Sequence, residues 1–207
     1  MVFPSVYDMT NESMTTVRKQ HFWEYFSGAT LNSRWTTNNI QGTTFAMTDE
    51  VDGGFKILTG ATSGDAGAIQ FNNKRQYEET GCVSISVWKN SSTASIISKC
   101  GFSSELDVFA GSYALCGIQS GASFFDLRTR DGSTASGANS SIFADTSYHA
   151  FKIECDASNV VLSIDGVTEV TDTTNLPIIP LQPAFYVSIP TTASKSIQTK
   201  YVECYNT

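Results

Sequence analysis

The chain has 207 residues, 41% hydrophobic and 16% charged, with a formal net charge of −7. An acidic chain with no basic stripe argues against electrostatic binding of nucleic acid or of an anionic membrane, and its two basic pairs, Arg18-Lys19 and Lys74-Arg75, are short. No stretch reaches the roughly 18 consecutive apolar residues of a membrane span, and the length suits one all-β domain that needs no covalent staples.

Residues 1–20 are polar, with scattered Met and Val and no clean period. They read as an N-terminal arm, extended or partly helical, that is either disordered or ordered by a neighbour. The opening MVFPSVYDMTNESM lacks the basic region and apolar core of a signal peptide, which predicts synthesis in a cytoplasm without standard export. A single domain is expected over 21–207. It begins with the most aromatic segment, HFWEYFSGATLNSRW, at 21–35. Its rings serve either as a stacking platform for a sugar or as core area that anchors the first strand.

From Gly42 onward the chain is a series of short alternating runs. Strands are predicted at Thr43–Thr48, Phe55–Thr59, Ala66–Phe71, Cys82–Trp88, Ala94–Cys100 and Tyr113–Ile118. More follow at Ser123–Thr129, His149–Cys155, Val160–Ile164, Val167–Val170, Ala184–Ile189 and Ile197–Cys204. Turn residues separate them, among them Asp52-Gly53-Gly54, Ser63-Gly64-Asp65 and Asp131-Gly132. The clearest local prediction is a two-residue hairpin turn at Asp165-Gly166, because Asp and Gly tolerate the positive backbone angles such a turn needs. GSTASGANSSIFADTS, at 132–147, has no apolar face and reads as a surface loop or connecting crossover. Pro177, Pro180 and Pro183 punctuate a segment that should stay out of any central strand. No amphipathic helix is evident. So many short strands predict an antiparallel all-β sandwich or barrel.

Five cysteines, Cys82, Cys100, Cys116, Cys155 and Cys204, sit in apolar runs. The odd count rules out full pairing within the chain, and no two have metal-ligand spacing, so buried free thiols are expected.

The order of motifs is also informative. FxxYFSGxxLNSRW is followed by DGGFKILTG, CGF, RDG, YHAFKIECDASNVVLSIDGV, LP and IQTKYVECYN. Over roughly 21–205 this resembles the concanavalin A-like lectin/glucanase superfamily, in the divergent form found in bacteriophage and other viral structural proteins. The resemblance implies a curved antiparallel two-sheet jelly-roll sandwich, and the N-terminal arm read above precedes it.

Glycoside hydrolases of that superfamily place their acid and nucleophile on one strand as Glu-x-Asp-x-x-Glu. The nearest match is Glu105-Leu106-Asp107, followed by Val108, Phe109 and Ala110, so the second glutamate is absent. The lectins hold calcium with clustered Asp and Asn. Here Asp49, Asp52, Asp65, Asp126 and Asp131 form no dense loop. His21 and His149 have no local partner that suggests a triad. No catalytic, metal or cofactor residues are therefore assigned, and the expectation is a non-enzyme.

The main functional expectation is a virion structural protein: a capsid decoration, cement or fibre-associated subunit. It would be made in the host cytoplasm, bind the major capsid protein through its arm and sheet surface, and form a homo-oligomer. The alternative is a carbohydrate-binding module that attaches to glycans through Trp35, Trp88, Tyr113 and Tyr148. A glycoside hydrolase is the third reading.

Overall fold

The computed structural model describes residues 20–72, 74–104, 114–120 and 123–207. The arm expected at 1–20 falls outside them apart from Gln20, as do Glu105, Asp107 and Tyr113.

Among the described residues the first strands are β1 (His21–Tyr25), β2 (Thr36–Gln41), β3 (Thr43–Met47), β4 (Phe55–Thr59) and β5 (Ala66–Gln70). Then come β6 (Cys82–Asn90), β7 (Ile97–Ser103), β8 (Ala114–Ser120), β9 (Phe124–Asp131) and β10 (Ala135–Phe143). The last are β11 (His149–Cys155), β12 (Val160–Ile164), β13 (Val167–Asp172), β14 (Gln182–Ser188) and β15 (Ser196–Asn206). They build two antiparallel sheets. One has eight strands in the order β13-β12-β11-β6-β15-β4-β3, with β1 also paired to β15. The other has seven, β10-β9-β8-β7-β14-β5-β2. The architecture is a two-sheet jelly-roll sandwich.

Alternation along each strand sends one set of side chains between the sheets. Phe151, Ile153, Leu162 and Trp88 come from one sheet, and Phe125, Leu127, Ile118 and Phe185 from the other. Trp88 stacks on Phe151 at 4.6 Å between ring centroids and meets Phe125 edge-on. All five cysteines are buried and unpaired.

The hairpin forms as the sequence predicts. Asp165 and Gly166 take φ of 51° and 85°, and β12 turns into β13. Asp165 also does more than turn the chain. Its Oδ1 accepts the Ala150 N–H at 2.8 Å, and its Oδ2 lies 2.6 Å from His149 Nδ1. On its other side, His149 Nε2 lies 3.1 Å from Asp145. Burial pushes the His149 pKa down, but hydrogen bonds and charge from Asp165, then Asp145, outweigh that and leave it raised. A raised folded-state pKa gives stability that is fully present below the unfolded value of about 6.5 and lost as pH rises through the folded value. Thermal melts from pH 5 to 9 should show this decline, and His149→Gln should flatten it.

Two expectations fail for identifiable reasons. The polar stretch 132–147 is mostly strand: β10 pairs with β9 from Ala135↔Arg130 onward. It lies at the edge of its sheet and needs no continuous apolar face. There Asp172 accepts Thr129 Oγ1 and Ser136 Oγ at 2.9 and 2.6 Å, and Ser141 hydrogen-bonds Glu169, which closes that side of the sandwich. Pro183 lies inside β14, between β7 and β5. It is tolerated because β5 pairs only from Ala184 onward, so at Pro183 the strand has β7 alone as a neighbour.

Candidate functional site

Of the four aromatic residues proposed for glycan contact, the structure describes Trp35, Trp88 and Tyr148. Trp35 is 5% exposed and Trp88 is fully buried, and both belong to the core. They are held there by packing: Trp35 meets Phe22, Phe71 and Phe185, and its indole N–H donates to Glu24. Tyr148 is partly exposed, but its ring carries the ammonium groups of Lys89 and Lys200 at 4.4 and 4.7 Å from the centroid. Its hydroxyl donates to Glu50 at 2.6 Å. Tyr113 lies outside the described residues. The first aromatic segment divides by strand parity. Phe22 and Phe26 enter the core, whereas Trp23 and Tyr25 point outward from β1 at 60% and 63% exposure, with Tyr25 against Tyr201. The candidate calcium acids are spread out: Asp126 pairs with Arg128, and Asp131 holds its own turn at Ser133 and Thr134.

A site does emerge on the outer face of the seven-stranded sheet. Register fixes it row by row. Ala184 faces Gly101, Gly101 faces Gly117, Gly117 faces Arg128, and Arg128 faces Gly137. In the next row Tyr186, Lys99, Gln119, Asp126 and Asn139 stand side by side. On the other flank come Gln182, Ser103, Leu115, Arg130 and Ala135. The middle row holds Arg128 among small residues, of which Ala184, Gly101 and Gly117 are buried, and polar groups border it. A cleft of about 440 Å³ lies toward the β9–β10 end of these rows, lined by Lys99, Leu115, Gln119, Arg128, Arg130 and Gly137 among others.

The glycines here are a packing requirement. A Cβ on Gly137 would come within 2.7 Å of Arg128 side-chain atoms, and one on Gly117 within 2.8 Å of the Cys100 carbonyl oxygen.

The cleft is cationic although the chain carries −7. Burial lowers the Lys99 pKa to about 8, and the charges of Arg128 and Arg130 push it the same way. Asp126 offsets part of this with an ion pair to Arg128 at 3.0 Å. Beside the cleft, Gln70 and Gln182 are fully buried, and neither amide has a hydrogen-bond partner. Nothing in the sequence shows this cluster, because Lys99 lies about thirty positions from Arg128 and Arg130 along the chain. Only the β7-β8-β9 pairing unites them.

No known family matches the sequence, and no curated protein matches it. Solved structures do. One is a prokaryotic beta-1,3-1,4-glucanase (lichenase) from a mouse hindgut metagenome, at TM-score 0.66 and 11% identity, covering 90% of this chain and 98% of that one. Another is a protein of unknown function from Shewanella oneidensis MR-1, at TM-score 0.68 and 11% identity, covering 99% and 96%. A third is the Emp47p carbohydrate recognition domain, at TM-score 0.59 and 9% identity, covering 88% and 93%. None of these three is described as viral. The expectation of a non-enzyme is corrected, because a glucanase shares this fold across nine-tenths of the chain, so the fold itself does not argue against catalysis. The chain has the concanavalin A-like jelly-roll fold, which is the fold of glucanases and of a carbohydrate recognition domain alike.

Proposed function

We propose that the chain binds a glycan in the cleft on the outer face of its seven-stranded sheet, and that the glycan carries carboxylate or sulfate groups. One observation carries this reading: Lys99, Arg128 and Arg130 converge over a floor of small residues on an otherwise acidic protein. The small residues Ala135, Ser136 and Gly137 leave room for a sugar chain in the cleft, and the Arg forks and the Gln119 amide supply donors for sugar oxygens. An arriving anion would relieve the mutual repulsion of the three cations. That a glucanase and a carbohydrate recognition domain share this fold supports a glycan as the ligand class by analogy of fold.

The test is a binding panel of uronate-containing, sulfated and neutral oligosaccharides, with release of reducing ends followed in parallel. Acidic oligosaccharides should bind, more weakly at higher salt. Their binding should also fall as pH rises through about 8, where Lys99 loses its proton. Equal binding of neutral glucans, or no binding at all, would overturn the reading.

A second reading rests on the exposed Trp23 and Tyr25, whose rings offer a stacking surface for neutral sugars on the opposite sheet. Trp23→Ala separates the two. It should leave binding of acidic oligosaccharides unchanged if the cleft is the site.

A further inference from the structure

The core holds a second chemical group that the glycan reading does not use. Cys82 opens β6 and Cys155 ends β11, which are neighbouring strands of the eight-stranded sheet. Cys116 lies on β8 of the opposite sheet and points inward. The three sulfur atoms all lie within 4.8 Å of one another. From this triangle we infer a buried three-thiolate metal site that spans the two sheets and takes a soft d10 cation, Zn²⁺ or Cu⁺.

The geometry suits such an ion. Zinc–sulfur bonds of about 2.3 Å put tetrahedral ligand sulfurs about 3.8 Å apart. The thiols therefore need to close by no more than about 1 Å. All three ligands are thiols, and among the described residues no His or carboxylate joins the set. A purely sulfur set selects soft ions over calcium or magnesium.

The site also has a way in. Cys155 is 4% exposed, and the exposed turn at Asp156 follows it directly. Asp156, next to Cys155 in the chain, puts an exposed carboxyl side chain at that turn. Binding displaces the thiol protons to solvent, forms metal–sulfur bonds and transfers no electrons. Because two ligands come from one sheet and one from the other, a bound ion ties the layers together and stabilises only the folded state.

The experiment uses the full chain, stripped with a chelator and held in a phosphine reductant, with Zn²⁺, Cu⁺ and Cd²⁺ added separately. One equivalent should bind, the melting temperature should rise, and Cd²⁺ should produce a thiolate charge-transfer band. Cys116→Ser and Cys155→Ser should lose the band and the rise, while Cys100→Ser and Cys204→Ser should keep both. Binding of Cu⁺ alone marks a three-coordinate site, and binding of Zn²⁺ marks one that water completes. Should the Cys116 and Cys155 variants fail to fold, X-ray absorption on the wild-type cadmium protein counts the sulfur neighbours directly. Three sulfurs support the site. Fewer than three, no band in the wild type, or a band that survives in folded Cys116→Ser would overturn it.

Discussion

Replacing Trp88 with alanine should destabilise the protein by about 3–5 kcal/mol. Trp88 is fully buried at the centre of the sandwich. It stacks on Phe151 within its own sheet and meets Phe125 of the opposite sheet edge-on, so it bridges the layers. Removing the indole opens a cavity that two stiff antiparallel sheets cannot close by collapsing. For a domain of this size the loss should lower the melting temperature by on the order of 10 °C. Trp88→Phe is the informative companion. The indole Nε1 is buried without a hydrogen-bond partner, so a phenyl ring loses some packing but also removes an unsatisfied donor. Its cost should be well under half that of alanine. Denaturant melts of the two variants check both statements, and an alanine variant as stable as the wild type would show that the interlayer core is loosely packed there.

The second large effect concerns the cleft. Arg128→Ala and Arg130→Ala should each weaken binding of acidic oligosaccharides about tenfold or more, since charge-assisted hydrogen bonds contribute roughly 1.5–3 kcal/mol. Arg128 covers Gly137 and pairs with Asp126, so its removal also leaves a nearly buried carboxylate without its cation. Circular dichroism must therefore show the fold intact before the affinity is read. Arg128→Lys keeps the charge but not the planar fork, and should recover only part of the binding. Full recovery would mean that the cleft senses charge alone. Unchanged affinity in both alanine variants would move the site elsewhere, with Trp23 and Tyr25 the next surface to test.

How much of this was legible in the chain depends on how far apart the cooperating residues lie. The Asp165-Gly166 hairpin is local, and the predicted strands His149–Cys155 and Val160–Ile164 match β11 and β12 residue for residue. β10 was not legible, because an edge strand that pairs on one side alternates only weakly: its burial runs exposed and half-buried with a single buried position, Ser140. The aromatic residues misled for a related reason. Composition marks Trp35 and Trp88 as large and versatile, but only parity against neighbouring strands shows that they face inward while Trp23 faces out. The cationic cleft and the thiol triangle both draw on three strands, and in the case of Cys116 on the opposite sheet. Spacing along the chain carries no trace of them. His149 is intermediate: its partner Asp145 lies four positions away, but Asp165 reaches it only across the β11–β12–β13 turns.

The pairing of β1 with β15 has a mechanical consequence. His21 faces Tyr205, and the Asn206 N–H donates to the Gln20 carbonyl at 3.0 Å, so the two strand ends leave the sandwich side by side. Tension applied through residues 20 and 206 would fall on that first rung and open the ladder one pair at a time, as a zipper opens. Shear would instead load all the pairs from His21↔Tyr205 to Tyr25↔Tyr201 together. Each rung released would draw β1 outward and carry first Phe22 and then Phe26 out of the core. The jelly roll is thus built to yield gradually from this corner under a pulling force, while the β6–β11 and β7–β8 ladders in its interior remain closed.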